Sequence, residues 1–464
     1  MSISIPDSVI DSSRLDALLE REQQRFAARH PRSAELYARG REVYLYGTPL
    51  HWMQLWPGAH PVYMRDAQGA HLRDVDGNEF VDLCLGDTGS MFGHSHPAIA
   101  DAIARQAHRG VTAMLPSEDG VWVGEELSRR FGLPYWQLAT SASDANRFAL
   151  RLARLVTGRD KILVFNGNYH GSVDETQVEF DAQGRMRTRT NVTANGMDHE
   201  RLVRLVEFND IEALERELSH GDVACVITEP MMTNIGMVPV APGYHAALRE
   251  ITRRYGTLLL IDETHTISTG PGGCTRAWGL EPDIFVLGKA IAGGIPSAVY
   301  GVTEAVAQRV WAAKPPAWAG GEKRNNHSGF GGTLVGNQLT IAGLRATLEH
   351  VMTDENYAHM IEMATRIARS VDADIAKHAL PWHLTQVGAR AEYMFMPQPP
   401  RNGSEAKAGR NGPLEAFIHL YLLNRGVLIT PFHNMMLACP QLAPGDVDQH
   451  NRAFSECLAE LVGG

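Results

Sequence analysis

The chain lacks any run of about eighteen apolar residues, so nothing in it reads as a membrane span. It also lacks a dense Lys/Arg tract. With 53 acidic and 43 basic side chains its formal net charge is −10, which argues against a nucleic-acid footprint. Cysteine is scarce: Cys84, Cys225, Cys274, Cys439 and Cys457 are scattered, odd in number and without metal-ligand spacing. They read as buried thiols of a reducing compartment, and no metal site is expected. Met1–Ile10 has acids and a proline but no apolar core, so it does not read as a signal peptide. Together these absences predict a soluble, cytoplasmic protein with neither membrane nor nucleic acid as partner. Repeats are absent too, and low complexity is confined to residues 397–412.

What is present centres on Thr257–Gly294, TLLLIDETHTISTGPGGCTRAWGLEPDIFVLGKAIAGG. Thr257–Ile261 reads as a buried strand ending on Asp262-Glu263, and Asp283–Leu287 as a second strand ending on Gly288-Lys289. An acid at one strand end and a Lys at the next place opposite charges on one sheet rim, where open α/β sheets bind ligands. Alone, either residue reads as a surface group or a cap. As a pair they suit a Lys289 Schiff base to pyridoxal phosphate, with Asp262 facing the pyridinium nitrogen. Five strands (161–165, 223–228, 257–262, 283–287, 298–302) separated by helices or crossovers predict a mostly parallel sheet. Ser141-Ala142-Ser143-Asp144-Ala145-Asn146 opens a helix and offers a phosphate cradle, or an ordinary N-cap.

LLLIDE followed by PDIFVLGKAIAGGIP resembles the class III, fold type I aminotransferases, in the branch of glutamate-1-semialdehyde aminomutase and the amine transaminases. The resemblance runs from about Tyr44 to Leu461. It implies an α/β fold type I architecture: a mostly parallel sheet in a large domain, 91–340, beside a smaller α+β domain from segments 1–90 and 341–464. The residues implied to hold the cofactor are Ser141, Ala142 and Ser143 with Thr333 at the phosphate, Tyr169 stacked on the ring, and Glu229 near the phenolic oxygen. Thr264 replaces an apolar residue behind the ring and could bond that oxygen. His170 reads as a structural histidine. Because Thr333 is implied to reach the neighbouring subunit's cofactor, a homodimer with shared sites is expected.

Substrate features are less regular. Trp52 falls where the semialdehyde aminomutases carry a carboxylate-binding Arg, and Asp87 where they carry an aromatic. Pro431-Phe432-His433-Asn434 lacks an arginine that some amine transaminases use. A pocket of Trp52, Asp87 and His433 should bind α-carboxylates less well. The expected activity is transamination from an amine or distal amino group to a keto acid or aldehyde, with a small-molecule amine donor and carbonyl acceptor. The alternatives are an intramolecular aminomutase of the glutamate-1-semialdehyde type and a catalytically silent binding protein.

Elsewhere, Ser12–Arg41 reads as a helix interrupted at Pro31 and packed on a partner. Pro61–Met64, His71–Val75 and Phe80–Leu83 read as an antiparallel ribbon. Leu344–Val371 reads as one helix, Ala312–Gly332 as a flexible loop, and 397–412 as a mobile polar insertion.

Overall fold

The computed structural model describes residues 10–192, 196–313 and 328–463. It divides into two compact units: Met1–His96 with Ala358–Pro399 and Gly409–Gly464, and Pro97–Tyr357 with Pro400–Ala408. Among the described residues no helix is long and apolar enough to cross a membrane. No group of three or more His, Cys, Asp or Glu there could hold a metal.

The second unit is built on seven strands: β1 Tyr135–Ala139, β2 Lys161–Phe165, β3 Val203–Val206, β4 Val223–Thr228, β5 Leu258–Asp262, β6 Ile284–Leu287 and β7 Ala298–Val302. Their order across the sheet is β1-β7-β6-β5-β4-β2-β3. Strands β4, β5 and β6 are buried at every position, as unbroken apolar runs in a parallel sheet should be. The predicted five strands are present, but β7 pairs antiparallel with both β6 and β1. Only residues 288–297 separate β6 from β7, too few for the crossover that parallel pairing needs. Sequence reading also missed β3, a four-residue strand whose Arg204 points to Asp222 and Glu217 rather than following an apolar pattern.

Helix α1, Ala142–Thr157, lies against this sheet. Ala145, Ala149 and Ala153, with Phe148, Leu152 and Val156, pack on Ile162, Ala224, Leu260 and Val286. Small residues four apart let the helix approach closely. Its N-cap Ser141 accepts from the Asp144 N–H at 3.2 Å, and Gly158 ends it with φ +67°.

In the first unit the ribbon forms with its first strand shifted downstream, Met64–Gln68 against His71–Asp74, because the two-residue turn falls at Gly69-Ala70. Gly69 supplies the positive φ, +58°. The N-terminal helix does contribute to a core, against expectation: Phe26 is fully buried with Phe80, Leu420, Leu423 and Leu428. Pro31 starts a new helix, Pro31–Gly40, rather than merely ending the first.

Two further expectations change. Leu344–Val371 is two helices, Gln338–His350 and Asp354–Lys377, because the Thr353 hydroxyl accepts from the Asn356 N–H and the Asn356 side chain caps Val351 C=O. Within 397–412, the polar composition conceals a helix, Gly403–Ala408. It is fixed to the second unit by Ser404 Oγ to Asn166 (3.0 Å) and Lys407 to Glu179 (2.8 Å). Of the expected flexible loop, 314–327 lies outside the described residues.

Candidate active site

The parallel strands of the sheet bring their C-terminal ends to one rim, and Glu229, Asp262 and Lys289 lie at it. β4 runs into Glu229, β5 ends on Asp262, β6 leads into Gly288-Lys289, and β2 leads into 166–171.

Asp262 is 4% exposed. Its Oδ2 accepts from Asn146 Nδ2 (2.8 Å) and lies 3.0 Å from His170 Nδ1, while Oδ1 accepts from the Thr264 N–H (3.1 Å). Burial opposes ionisation, but His170, then Thr264 and Asn146, outweigh it and hold the carboxyl below its ordinary range. A carboxylate has about four acceptor positions, so one remains for a further N–H such as that of a pyridinium ring.

Glu229, also 4% exposed, behaves in the opposite way. Its Oε2 accepts from the Thr233 hydroxyl (2.5 Å) and N–H (3.1 Å), but Oε1 has no partner among the described residues. Burial pushes this carboxyl up to about 7, against the pull of His170 and Thr233. His170 Nε2 is a second buried polar atom without a partner among the described residues. Two orphaned polar atoms beside a charged carboxylate mark a place for a polar ligand.

Lys289 follows β6 in the left-handed region at φ +48°, which costs a non-glycine residue roughly 1–3 kcal/mol and clusters at functional sites. Its Nζ is 2.9 Å from His265 Nε2. A Cβ at the preceding Gly288 would lie 2.8 Å from Ala142 Cβ and 3.2 Å from Ala142 N. Glycine at 288 therefore lets the start of α1 abut the Lys289 segment. Ser141, Ala142 and Ser143 thus lie at the rim, as an anion cradle beside Lys289 requires. The Ser143 hydroxyl accepts from Ser172 N–H (2.9 Å), and Gly171 leaves room for it. Thr264 Oγ1 accepts from Gly288 N–H (3.2 Å), tying the ends of β5 and β6 together. The ionised Asp262, the helix N-terminus and the orphaned Glu229 and His170 atoms all fit pyridoxal phosphate.

Tyr169 is half-buried next to His170, and Thr333 is exposed on a turn at residues 333–336. Trp52, Asp87 and His433 belong to the first unit. There Trp52 meets Phe432 edge-on (5.2 Å), and Phe432 lies beside His433, whose Nδ1 is 3.0 Å from Glu392. Asp87 has φ +50°.

Sequence reading missed Asn146 and His265 and did not connect His170 with Asp262. Asn146 lies fully buried among the apolar residues of α1, a position that its residue type does not announce. His265 stands in the DETHT stretch already singled out, but nothing in its spacing points at Lys289.

Residues 55–455 match the family model for class-III aminotransferases. The chain is 32% identical over 430 residues to a glutamate-1-semialdehyde 2,1-aminomutase of Chloroflexus aggregans, covering 87% of this chain and 92% of that protein. A glutamate-1-semialdehyde-aminomutase variant from Pseudomonas aeruginosa PAO1, solved in complex with PMP, superposes with a TM-score of 0.95 at 59% identity, covering 97% of this chain and 99% of that one. An omega-transaminase from Sphaerobacter thermophilus gives 0.83 at 26% identity, with 93% and 98% covered.

Proposed function

The chain belongs to the class-III aminotransferase family, whose enzymes depend on pyridoxal phosphate, and from that premise we propose that it shifts an amino group within one substrate, as a glutamate-1-semialdehyde-type aminomutase. The observation that carries the choice is the 59% identity over nearly the whole chain to the Pseudomonas protein of that name. It outweighs the resemblance to amine transaminases, which is far more distant.

The cofactor, when bound, supplies an aldehyde carbon for amines and a ring that withdraws electrons from the carbon losing a proton. Lys289 Nζ anchors it and, when released, takes a proton from one substrate carbon and returns it at the next. Asp262 stays ionised, and the acceptor position its three donors leave open would face the ring N–H. Ser141 to Ser143, at the start of α1, would hold the phosphate. Tyr169 would cover the ring, and Glu229, raised to about 7, would be able to donate to or accept from the phenolic oxygen.

A second reading keeps the transaminase, favoured by Trp52. Trp offers one N–H donor and a broad face where a guanidinium would bind a carboxylate through two bonds. It suits an amine without an α-carboxylate.

Supplying glutamate-1-semialdehyde alone tests the choice. An aminomutase converts it to the isomeric amino ketone with no acceptor added. Absence of that product, with ketone formed from an amine and pyruvate, overturns the aminomutase in favour of the second reading.

The same reading includes a homodimer in which Thr333 serves the partner's phosphate. Supporting it, Met114, Leu115, Val121 and Leu334 expose 77%, 68%, 62% and 61% of their surface. Gln338 bonds the Val111 and Leu115 carbonyls, holding the 111–115 and 333–338 segments together. An exposed apolar group of this kind marks an interaction face. Heterodimers of Lys289→Ala with Thr333→Arg chains should recover about one working site, since both defects then fall in the same site. Verified heterodimers without activity would remove the shared site.

A further inference from the structure

We propose that His265 positions Lys289 and takes the proton from its ammonium; this rests on the reading of Lys289 as the cofactor-bearing amine. The two side chains are 2.9 Å apart, Nζ to Nε2, within the reach of direct proton transfer. An ammonium has three donors and no acceptor, so the ring nitrogen facing it must be unprotonated, with the imidazole proton on Nδ1. Along this bond the Nζ–H bond breaks, its electron pair remains on Nζ, and the Nε2 lone pair forms the new N–H bond. One positive charge passes from the lysine to the ring. What remains on Lys289 is a free amine, the form that attacks a carbonyl carbon or removes a proton from carbon.

His265 is well placed for this because the backbone that carries it is anchored. It is 5% exposed and directly precedes the short helix Thr266–Thr269. The neighbouring Glu263, fully buried, fastens that segment at both ends. Its carboxylate accepts from the Thr266 hydroxyl (2.5 Å), the Thr275 hydroxyl (2.6 Å) and N–H (2.5 Å), and the Cys274 N–H (3.2 Å). Its carbonyl accepts from Ile267 N–H (2.9 Å). On the other side, the φ of +48° at Lys289 fixes where the lysine stem begins. Such strain persists only where the surroundings determine it, and here Gly288 packed on Ala142 and bonded to Thr264 does so. Both partners of the 2.9 Å contact are therefore held from behind, as a proton-transfer pair requires.

The test follows covalent capture of pyridoxal phosphate by the apo-protein, read as absorbance against time, with borohydride reduction and peptide mapping to locate the label. His265→Gln keeps a hydrogen-bond acceptor near Nζ but cannot take the proton; His265→Ala removes both and leaves room for free imidazole. Capture should slow by about 10²-fold in both variants, the scale of general acid–base assistance. Added imidazole should restore the Ala variant, and the label should stay on Lys289. Wild-type capture by the Gln variant, or no response of the Ala variant to imidazole, overturns the inference. If circular dichroism shows the Ala variant unfolded, the comparison of His265→Gln with the parent protein decides. A label found elsewhere than Lys289 in the parent protein overturns the reading of the site itself, whatever the His265 variants do.

Discussion

In the sheet unit three buried carboxylates, Asp262, Glu263 and Glu229, gather at strand ends, and among the groups the other unit buries are the imidazoles His419, His433 and His450. The imidazoles find partners on their own segments or nearby: His450 bonds its neighbour Asn451, His419 bonds Asn434, and His433 faces Glu392. Burial drives His419 and His450 down to about 4, so both are neutral at ordinary pH. Burial likewise raises Glu229 and Glu263. Asp262 alone among these acids is held below its ordinary range. Glu263 receives four donors to the three of Asp262, but all four are hydroxyls and N–H dipoles, while Asp262 faces an imidazole. Burial pushes each of these groups toward its neutral form, and the direct contact with His170 reverses that push at Asp262, where a cofactor nitrogen needs an anion.

The largest effect should come from breaking that exception. Asp262→Asn should keep the fold by circular dichroism and retain cofactor absorbance, yet lower the single-turnover rate by about 10²–10³, as loss of one preorganised electrostatic partner does. Near-normal turnover would place the anion elsewhere.

Glu229 and His450 sharpen the contrast through opposite pH dependence. The folded-state value of Glu229, about 7, lies above its ordinary 4.5, so the stability it contributes is complete below 4.5 and is lost as pH rises through about 7. The span corresponds to roughly 3 kcal/mol. Glu229→Gln, neutral throughout, should gain on the parent protein between pH 5 and 8 in denaturant titrations of the apo-protein. For His450 the folded-state value is depressed from 6.5 to about 4, so its contribution is present above 6.5 and is lost as pH falls through 4. His450→Gln should reduce the acid sensitivity between pH 6.5 and 4, again by roughly 3 kcal/mol. Parallel pH profiles for the variants and the parent would contradict the burial argument.

The smallest effect concerns packing. Gly288→Ala forces a Cβ to 2.8 Å from Ala142 Cβ, an overpacking worth about 1–3 kcal/mol. Adding Ala142→Gly should recover most of it, which equilibrium unfolding measures. Additive losses would mean that the two residues do not meet.

The parts of the site that could be read from sequence were those written into strand ends. Asp262 closes one apolar run and Lys289 follows another after Gly288 alone, so pattern puts both on the rim. Glu229 likewise follows β4, and Ser141 is legible as a cap. Asn146 was not, because its meaning depends on which helix face meets the sheet. His265 was not, because the left-handed turn at Lys289 that brings the two together leaves no trace in residue type. The direction of β7 was legible in hindsight only through the length of 288–297. The helix in 397–412 owes its order to Asn166 and Glu179, more than two hundred residues earlier, which local composition cannot express.

The hydrogen bonds of Asp262 carry one more consequence, for the order of events during folding. Thr264 is two residues away, but His170 is 92 and Asn146 116 residues distant. Contacts across such separations form only as β2, β5 and α1 come together, because the intervening chain must first be closed into loops. Until then Asp262 is an ordinary surface acid and Lys289 an ordinary lysine. The anion proposed to face the cofactor nitrogen thus has its full set of partners only in the assembled sheet unit, and a partly assembled molecule has little with which to hold a reactive aldehyde.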